Sequence, residues 1–176
     1  MTIESERLFL RPLTEQDASQ KYADWLNDPE VNQYLETRHS PQSRQTCVEF
    51  IQKTNQDPSS HLFGIFMKED GRHIGNAKLG FVNPHYGSAE YSLFIGDKST
   101  WGKGFMSEVT RMIATYGFQT LGLERIESGC YEGNLASLRV LLKTGFTVEG
   151  FLRSSLVSNG RRCGCFWLGL LKHELV

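Results

Sequence analysis

The sequence predicts a mixed α+β fold, a central sheet flanked by helices, and three features carry that reading. Segments that alternate apolar and polar residues recur along the chain, among them LFLRPL near its start and AEYSLFIG in its middle. Two such segments meet across Asp70 and Gly71, and another two across Asn159 and Gly160, dipeptides that tolerate the positive φ of a tight hairpin. Between these pairs, Val109, Met112, Ile113 and Tyr116 recur at the i, i+3, i+4, i+7 spacing of an amphipathic helix.

Taken in order, Arg7 to Leu13 reads as a first strand, and Thr14 with Asp17 three residues later reads as a helix start. A helix then runs towards Leu26. Asn27, Asp28 and Pro29 interrupt it, a short helical piece through Val31, Tyr34 and Leu35 follows, and Ser40 with Pro41 opens another helix. That helix carries Cys47, Val48 and Ile51 on one side. After the turn cluster Asp57 to Ser60, strands are predicted over 61–68 and 73–81, with a loop over 83–87 and a third strand over 89–96. The helix of Val109 to Tyr116 is expected to end at Gly117 and Gly122. A strand over 125–131, a short helix over 134–143 with Leu138, Leu141 and Leu142 inward, a stop at Gly145 and a final hairpin over 146–156 and 163–171 complete the chain.

Composition narrows the function. The chain has 176 residues, enough to bury roughly two thirds of its unfolded surface around one core, so a single domain over 1–176 is expected. The formal net charge is −1 and the basic residues are scattered, so no footprint for nucleic acid is visible. No apolar run approaches the ~20 residues that cross a bilayer, and MTIESER is too charged for a leader, so a cytoplasmic protein without a membrane partner is expected. The cysteines Cys47, Cys130, Cys163 and Cys165 read as reduced structural thiols, since C-x-C lacks the second pair of a zinc site. Five histidines show no H-E-x-x-H and no close pairing, so no metal is expected.

Trp101-Gly102-Lys103-Gly104-Phe105-Met106 lies between a strand and a helix, which aims free backbone amides and the positive end of a helix dipole at one spot. An anion belongs there. A Walker loop is excluded because Lys103 is followed by glycine and the spacing from Gly96 is wrong; a dinucleotide fingerprint lacks its third glycine at Ser107.

The strand AEYSLFIG, the loop WGKGFM opening a helix, the run Asn134-Leu-Ala-Ser137 and the later Lys143-Thr-Gly145-Phe146 together resemble the GNAT acetyltransferases, and within them the RimJ/RimL-like branch. The resemblance runs from LFLRPL to LGLL. It implies a mostly antiparallel twisted sheet of about seven strands with one splayed pair, and an acetyl-CoA-dependent N-acetyltransferase. Acetyl-CoA would lie between the splayed strands, its pyrophosphate on the amides of Gly102, Lys103, Gly104, Phe105 and Met106. The family loop commonly has Gln or Arg where this chain has Trp101, and a small residue where it has Met106; backbone amides tolerate both changes.

The resemblance also implies an oxyanion donor among the amides near Phe94 or Ile95, a role that preorganised donors fill elsewhere. Attack by an amine requires a base, and Glu90, which alternation places on one strand face with Ser92 and Phe94, is the candidate; Glu127 is its rival, and a water chain could serve instead. The usual family acid, a tyrosine seven residues after the asparagine, is replaced by Leu141. Ser137, one turn from Asn134, is then the donor to the leaving thiolate, with Tyr131 as a further donor and Lys143 as a cofactor-side residue; on the plainest reading Asn134 is a helix N-cap with Ser137 at its third position. No nucleophile elbow is present, so direct attack in a ternary complex is expected. The alternative is a silent acyl-CoA-binding regulatory module. The acceptor side is assigned to 25–39 and the surroundings of Tyr86; WLNDPEVNQYL resembles members that act on nucleotide-linked amino sugars, while the branch as a whole points to protein N-termini or another small amine. A homodimer is allowed.

Overall fold

A computed structural model describes residues 1–176 of the chain. Its sheet has eight strands, one more than expected: β1 (Ile3–Glu4), β2 (Leu8–Pro12), β3 (His61–Met67), β4 (His73–Asn83), β5 (Ser88–Ile95), β6 (Arg125–Tyr131), β7 (Thr147–Ser158) and β8 (Arg161–Leu171). The additional strand is β1, whose two residues pair Ile3 with Leu10 and Glu4 with Phe9 and are too few to show a period. The helices are α1 (Gln20–Asn27), α2 (Pro29–Asn32), α3 (Arg44–Gln56), α4 (Phe105–Gln119) and α5 (Leu135–Lys143).

The strand order is β1-β2-β3-β4-β5-β6-β8-β7. Every neighbouring pair is antiparallel except β5 and β6, which run parallel and pair only over Ser88–Arg125, Ala89–Ile126 and Glu90–Glu127. Beyond Glu90 and Glu127 both strands continue without pairing, so the sheet parts there. That opening is the feature that positions the site.

Each face of the sheet is covered. The larger core lies under α4, which buries Val109, Met112, Ile113 and Tyr116 against Ile65, Leu79 and Ile126; α5 adds Leu141 to the same side. A smaller core lies on the other face, where Tyr22, Trp25 and Leu26 of α1 and Cys47 and Ile51 of α3 pack on Leu62 and Phe66. Each large apolar side chain buried this way contributes on the order of 2 kcal/mol, and the split between two faces is what a sheet with helices on both sides requires.

Several local readings are corrected. Thr14 and Asp17 begin only a single turn, in which the Asp17 carboxylate accepts from the Thr14 amide at 2.7 Å; α1 itself starts behind Ser19, whose hydroxyl accepts from Tyr22 N. The cap of α3 is Ser43, accepting from Thr46 N, so Ser40 and Pro41 lie in the preceding connection. Gly117 does not end α4. It sits inside the helix, where an added Cβ would stand 3.1 Å from side chains of Leu123 and Ile126, so glycine there permits the helix to lie close on the sheet. Leu142 points outward, 47% exposed, because α5 lays only Leu141 fully inward. Gly145 has φ +103 and ends α5, and Asn159 and Gly160, at φ 49 and 71, form the left-handed pair that the β7–β8 turn requires.

Candidate active site

The loop between β5 and α4 turns left-handed twice, at Gly102 (φ 74) and Gly104 (φ 81), and Gly104 is the N-cap of α4. Nothing crowds a Cβ at either glycine within 3.4 Å, so the demand for glycine is one of backbone angle and not of space. No side chain caps α4, and the amides from Gly102 through Ser107 find no acceptor in the protein. A row of unanswered N–H groups that runs from an exposed loop into the buried first turn of a 15-residue helix, at its positive end, is a cradle for an anion.

Two residues not singled out by the sequence hold this cradle. Arg7 donates to Lys103 O at 2.9 Å and to Glu108 Oε2 at 2.8 Å, with its guanidinium 4.4 Å from the Phe105 ring centre. Burial alone would raise the Glu108 carboxyl, but the bonds from Ser5 and Arg7 outweigh it and hold the group below its usual range. The Trp101 indole donates to Ile95 O at 2.9 Å, fastening the loop to the end of β5.

Next to the cradle is a cleft of about 780 Å³ lined by the loop, by β5 from Glu90 to Ile95, by β6 from Ser128 to Tyr131 and by α5 from Asn134 to Leu141. A second cavity of about 490 Å³ lies on the α1–α3 side, and Tyr34, Glu90, Ser92, Phe94, Gly129 and Tyr131 border both. The parted strands thus connect two chambers. Glu90 stands at the junction.

Each sequence-predicted residue has a definite place. Gly96 N donates to Ile74 O at 2.8 Å, and the alternation of an antiparallel ladder then turns the Phe94 amide towards β4 and the Ile95 amide into the gap. The Glu90 side chain makes no hydrogen bond with the protein, whereas that of Glu127 accepts from Arg125 Nε at 2.8 Å and from the Trp167 indole at 3.3 Å. Asn134 caps α5: its Oδ1 accepts from Ser137 N at 3.2 Å, which leaves its amide nitrogen and the Ser137 hydroxyl on the cleft wall. Burial pushes the Cys130 thiol up and the neighbouring Ser137 hydroxyl partly offsets this. Leu141 is buried in the wall. The Lys103 and Lys143 side chains are exposed and line neither chamber, Lys143 because it belongs to the last turn of α5, pointing away from the gap. Tyr86 is exposed on the β4–β5 connection and borders neither chamber.

Tyr131 is the centre of a network that the sequence could not announce. Its hydroxyl donates to Glu36 Oε1 at 2.5 Å and accepts from Arg38 Nη2 at 2.8 Å, and Arg38 also donates to Val157 O at 2.9 Å. Burial raises the phenol and the Glu36 bond raises it further, while that same bond lowers the Glu36 carboxyl. The segment after α2 is thereby tied across the gap to β6 and β7.

An acetyltransferase (GNAT) domain model matches residues 7–147, most of the chain. The chain belongs to the GNAT acetyltransferase family. It is an N-acetyltransferase that takes its acetyl group from acetyl-CoA. The chain is 31% identical over 175 residues to an uncharacterized N-acetyltransferase, p20, of Bacillus licheniformis, covering 98% of this chain and 97% of that one. It is 34% identical over 160 residues to the uncharacterized N-acetyltransferase YoaA of Bacillus subtilis, covering 90% and 89%. Among solved structures, spermidine N-acetyltransferase from Vibrio cholerae in complex with CoA and spermine has the same fold, with a TM-score of 0.86 at 23% identity over 97% of this chain and 98% of that one. No helix in this chain is long and apolar enough to cross a membrane.

Proposed function

We propose that the chain acts as one catalytic domain that acetylates a small primary amine by direct attack, with acetyl-CoA and the amine entering from opposite sides of the parted strands. The observation that carries this reading is the row of unanswered amides from Gly102 to Ser107 beside a cleft that opens through the sheet at Glu90. Those amides hold the pyrophosphate, and acetyl-CoA supplies an activated thioester. Glu90, free of partners and bordering both chambers, takes the proton that the ammonium must lose. The Ile95 amide offers a hydrogen bond to the thioester oxygen as negative charge gathers on it. Ser137 gives a hydrogen bond to the departing sulfur. The proton of Tyr131 is engaged by Glu36, which fits a part in shaping the site.

A small acceptor fits the second chamber, whose 490 Å³ holds a metabolite or the end of a chain but no folded partner; the fold shared with a spermidine enzyme supports the same class. The four unpaired cysteines fit a reducing, cytoplasmic setting. The test is titration with acetyl-CoA followed by thiol release across an amine panel. Saturable uptake, release that depends on amine, and intersecting initial-rate patterns are expected. Absence of uptake by folded protein, or a stable acetyl-enzyme formed without amine, overturns the proposal.

A further inference from the structure

The second chamber carries information on charge. On the face of β4 turned towards it stand Asn76 and Lys78, opposite Phe94 and Ser92 of β5, and Glu90 precedes Ser92 by two residues on the same face. Glu90 and Glu36 are the carboxylates lining this chamber and Lys78 is its one cation. The charge of Glu36 is already met by Tyr131 and by Arg38, 3.6 Å away. Lys78 has no carboxylate at ion-pair distance, although its charge helps to lower the Asp57 carboxyl; its side chain folds back along Gly80, the residue that faces Glu90, with Nζ 6.0 Å from the Phe81 ring centre. Asn76 is 4% exposed and its Oδ1 is shared with the His73 ring at 2.7 Å, but its Nδ2 reaches no acceptor; the Tyr22 hydroxyl lies close by without completing a bond.

One unpaired carboxylate at the strand gap, one ammonium without a close ion pair on the next strand and one buried, unanswered amide donor make a site that answers both signs at once. A diamine or polyamine offers nothing to Lys78 or to Asn76 Nδ2, and would bring its second ammonium near Lys78. A buried donor left without an acceptor is costly, so a substrate that supplies one is selected. We infer that the acceptor is an amino carboxylate, its amine at Glu90, its carboxylate at Asn76 Nδ2 with the Lys78 side chain turned from Gly80 to meet it, and its carbon body against Tyr22, Leu26 and Phe50. This rests on the acetyl-transfer reading given above and names the substrate class for it.

Initial rates of thiol release test it, measured at equal free-amine concentration with phenylalanine and leucine, with their amides, and with cadaverine and spermidine. The amino acids are expected to have the highest kcat/KM, with the amides about tenfold or more below them and the diamines lower still. Lys78 is half-buried on the sheet surface and its replacement is not expected to unfold the chain. In Lys78→Met the ratio of kcat/KM for acid over amide should fall by about 10- to 100-fold, mainly through KM, as expected for one charge-assisted bond, and Lys78→Glu should invert the order in favour of diamines. Diamines matching or exceeding the amino acids with the unaltered protein, or a ratio unmoved by Lys78→Met, would overturn the inference while leaving acetyl transfer intact. Silence with every amine despite acetyl-CoA binding would instead remove acetyl transfer, and this inference with it.

Discussion

Glu90 and Glu127 face one another across the last paired position of two parallel strands, and the difference between them is made by their neighbours. Arg125 and the Trp167 indole hold Glu127, so its lone pairs are engaged and its carboxylate is fixed away from the gap. Glu90 has no such partner and borders both chambers. Glu90→Gln should therefore lower kcat by about 100-fold or more, the usual contribution of a positioned base, with little change in the KM for acetyl-CoA. Glu127→Gln should instead cost about 1 kcal/mol of stability through its lost bonds and far less activity. Steady-state kinetics and urea unfolding of the two variants decide between them; equal losses of kcat would end the assignment of Glu90 as the base. The sequence puts Glu90 ahead of Glu127 because it lies on the strand that leads into the glycine loop, but alternation gives both an acceptable face; what separates them physically is a residue forty positions away, Trp167, that reaches only Glu127. The same limit hid Glu36 and Arg38, whose bonds to Tyr131 span more than ninety residues.

At the scale of elements, the loop before α4 was legible because its chemistry is local: glycines, a preceding strand and a following amphipathic helix lie within one stretch of sequence. What the structure adds is the clamp. Arg7, from the turn between β1 and β2, spans Lys103 O and Glu108 and so fixes the first turn of α4 against the far edge of the larger core. Because Gly104 sits at φ 81, Gly104→Ala should cost about 1 to 2 kcal/mol in the ligand-free protein, and by tilting the free amides it should also weaken acetyl-CoA binding by about tenfold, the effect of roughly one lost hydrogen bond. Urea unfolding without ligand and calorimetric titration separate the two effects. Lost stability with undiminished affinity would mean that the diphosphate lies elsewhere. Longer elements with a clear period, such as α4, the β3–β4 hairpin and β6, were readable from spacing alone. The two-residue β1 carries no period, and four Ser or Thr cap candidates within the first 43 residues compete in pairs, Thr14 with Ser19 and Ser40 with Ser43, for two helix starts; only packing on Leu62 and Phe66 settles which one each helix uses.

Over the whole molecule, ionisable groups are arranged so that acid loosens it in two stages. His73 lies at the contact between β4 and α1, edge-on to Tyr22 and Trp25 and stacked on Phe66, with Nε2 2.9 Å from Gly75 O and 2.7 Å from Asn76 Oδ1. Burial lowers its pKa, as it does for His61, and for His73 the bonds to Asn76 and Gly75 and the charge of Asp17 only partly offset this. A histidine whose folded pKa is depressed takes up its proton more readily when unfolded, so stability should begin to fall as pH drops below about 6.5, the unperturbed value. The carboxylates follow. For Asp17 burial acts upward, but its bonds from Arg11 and Thr14 prevail and bring it down to about 2; Glu108, Glu36 and Asp97 are lowered as well. Groups depressed in this direction contribute stability that is complete above their unfolded values near 4 and is lost as pH falls through the folded ones. The urea midpoint should thus be flat from about pH 7 to 8, decline gently between about 6.5 and 5 and fall steeply below about 4.5; above about 8.5 the raised thiols of Cys47, Cys130 and Cys165 should lower it again. In His73→Gln, which keeps a hydrogen-bonding group but does not titrate, the gentle limb should shrink while the steep one stays. A variant whose profile runs parallel to the unaltered protein throughout would show that the β4–α1 contact does not sense protons, and a midpoint constant from pH 7 down to 5 would show that acid acts on the carboxylates alone.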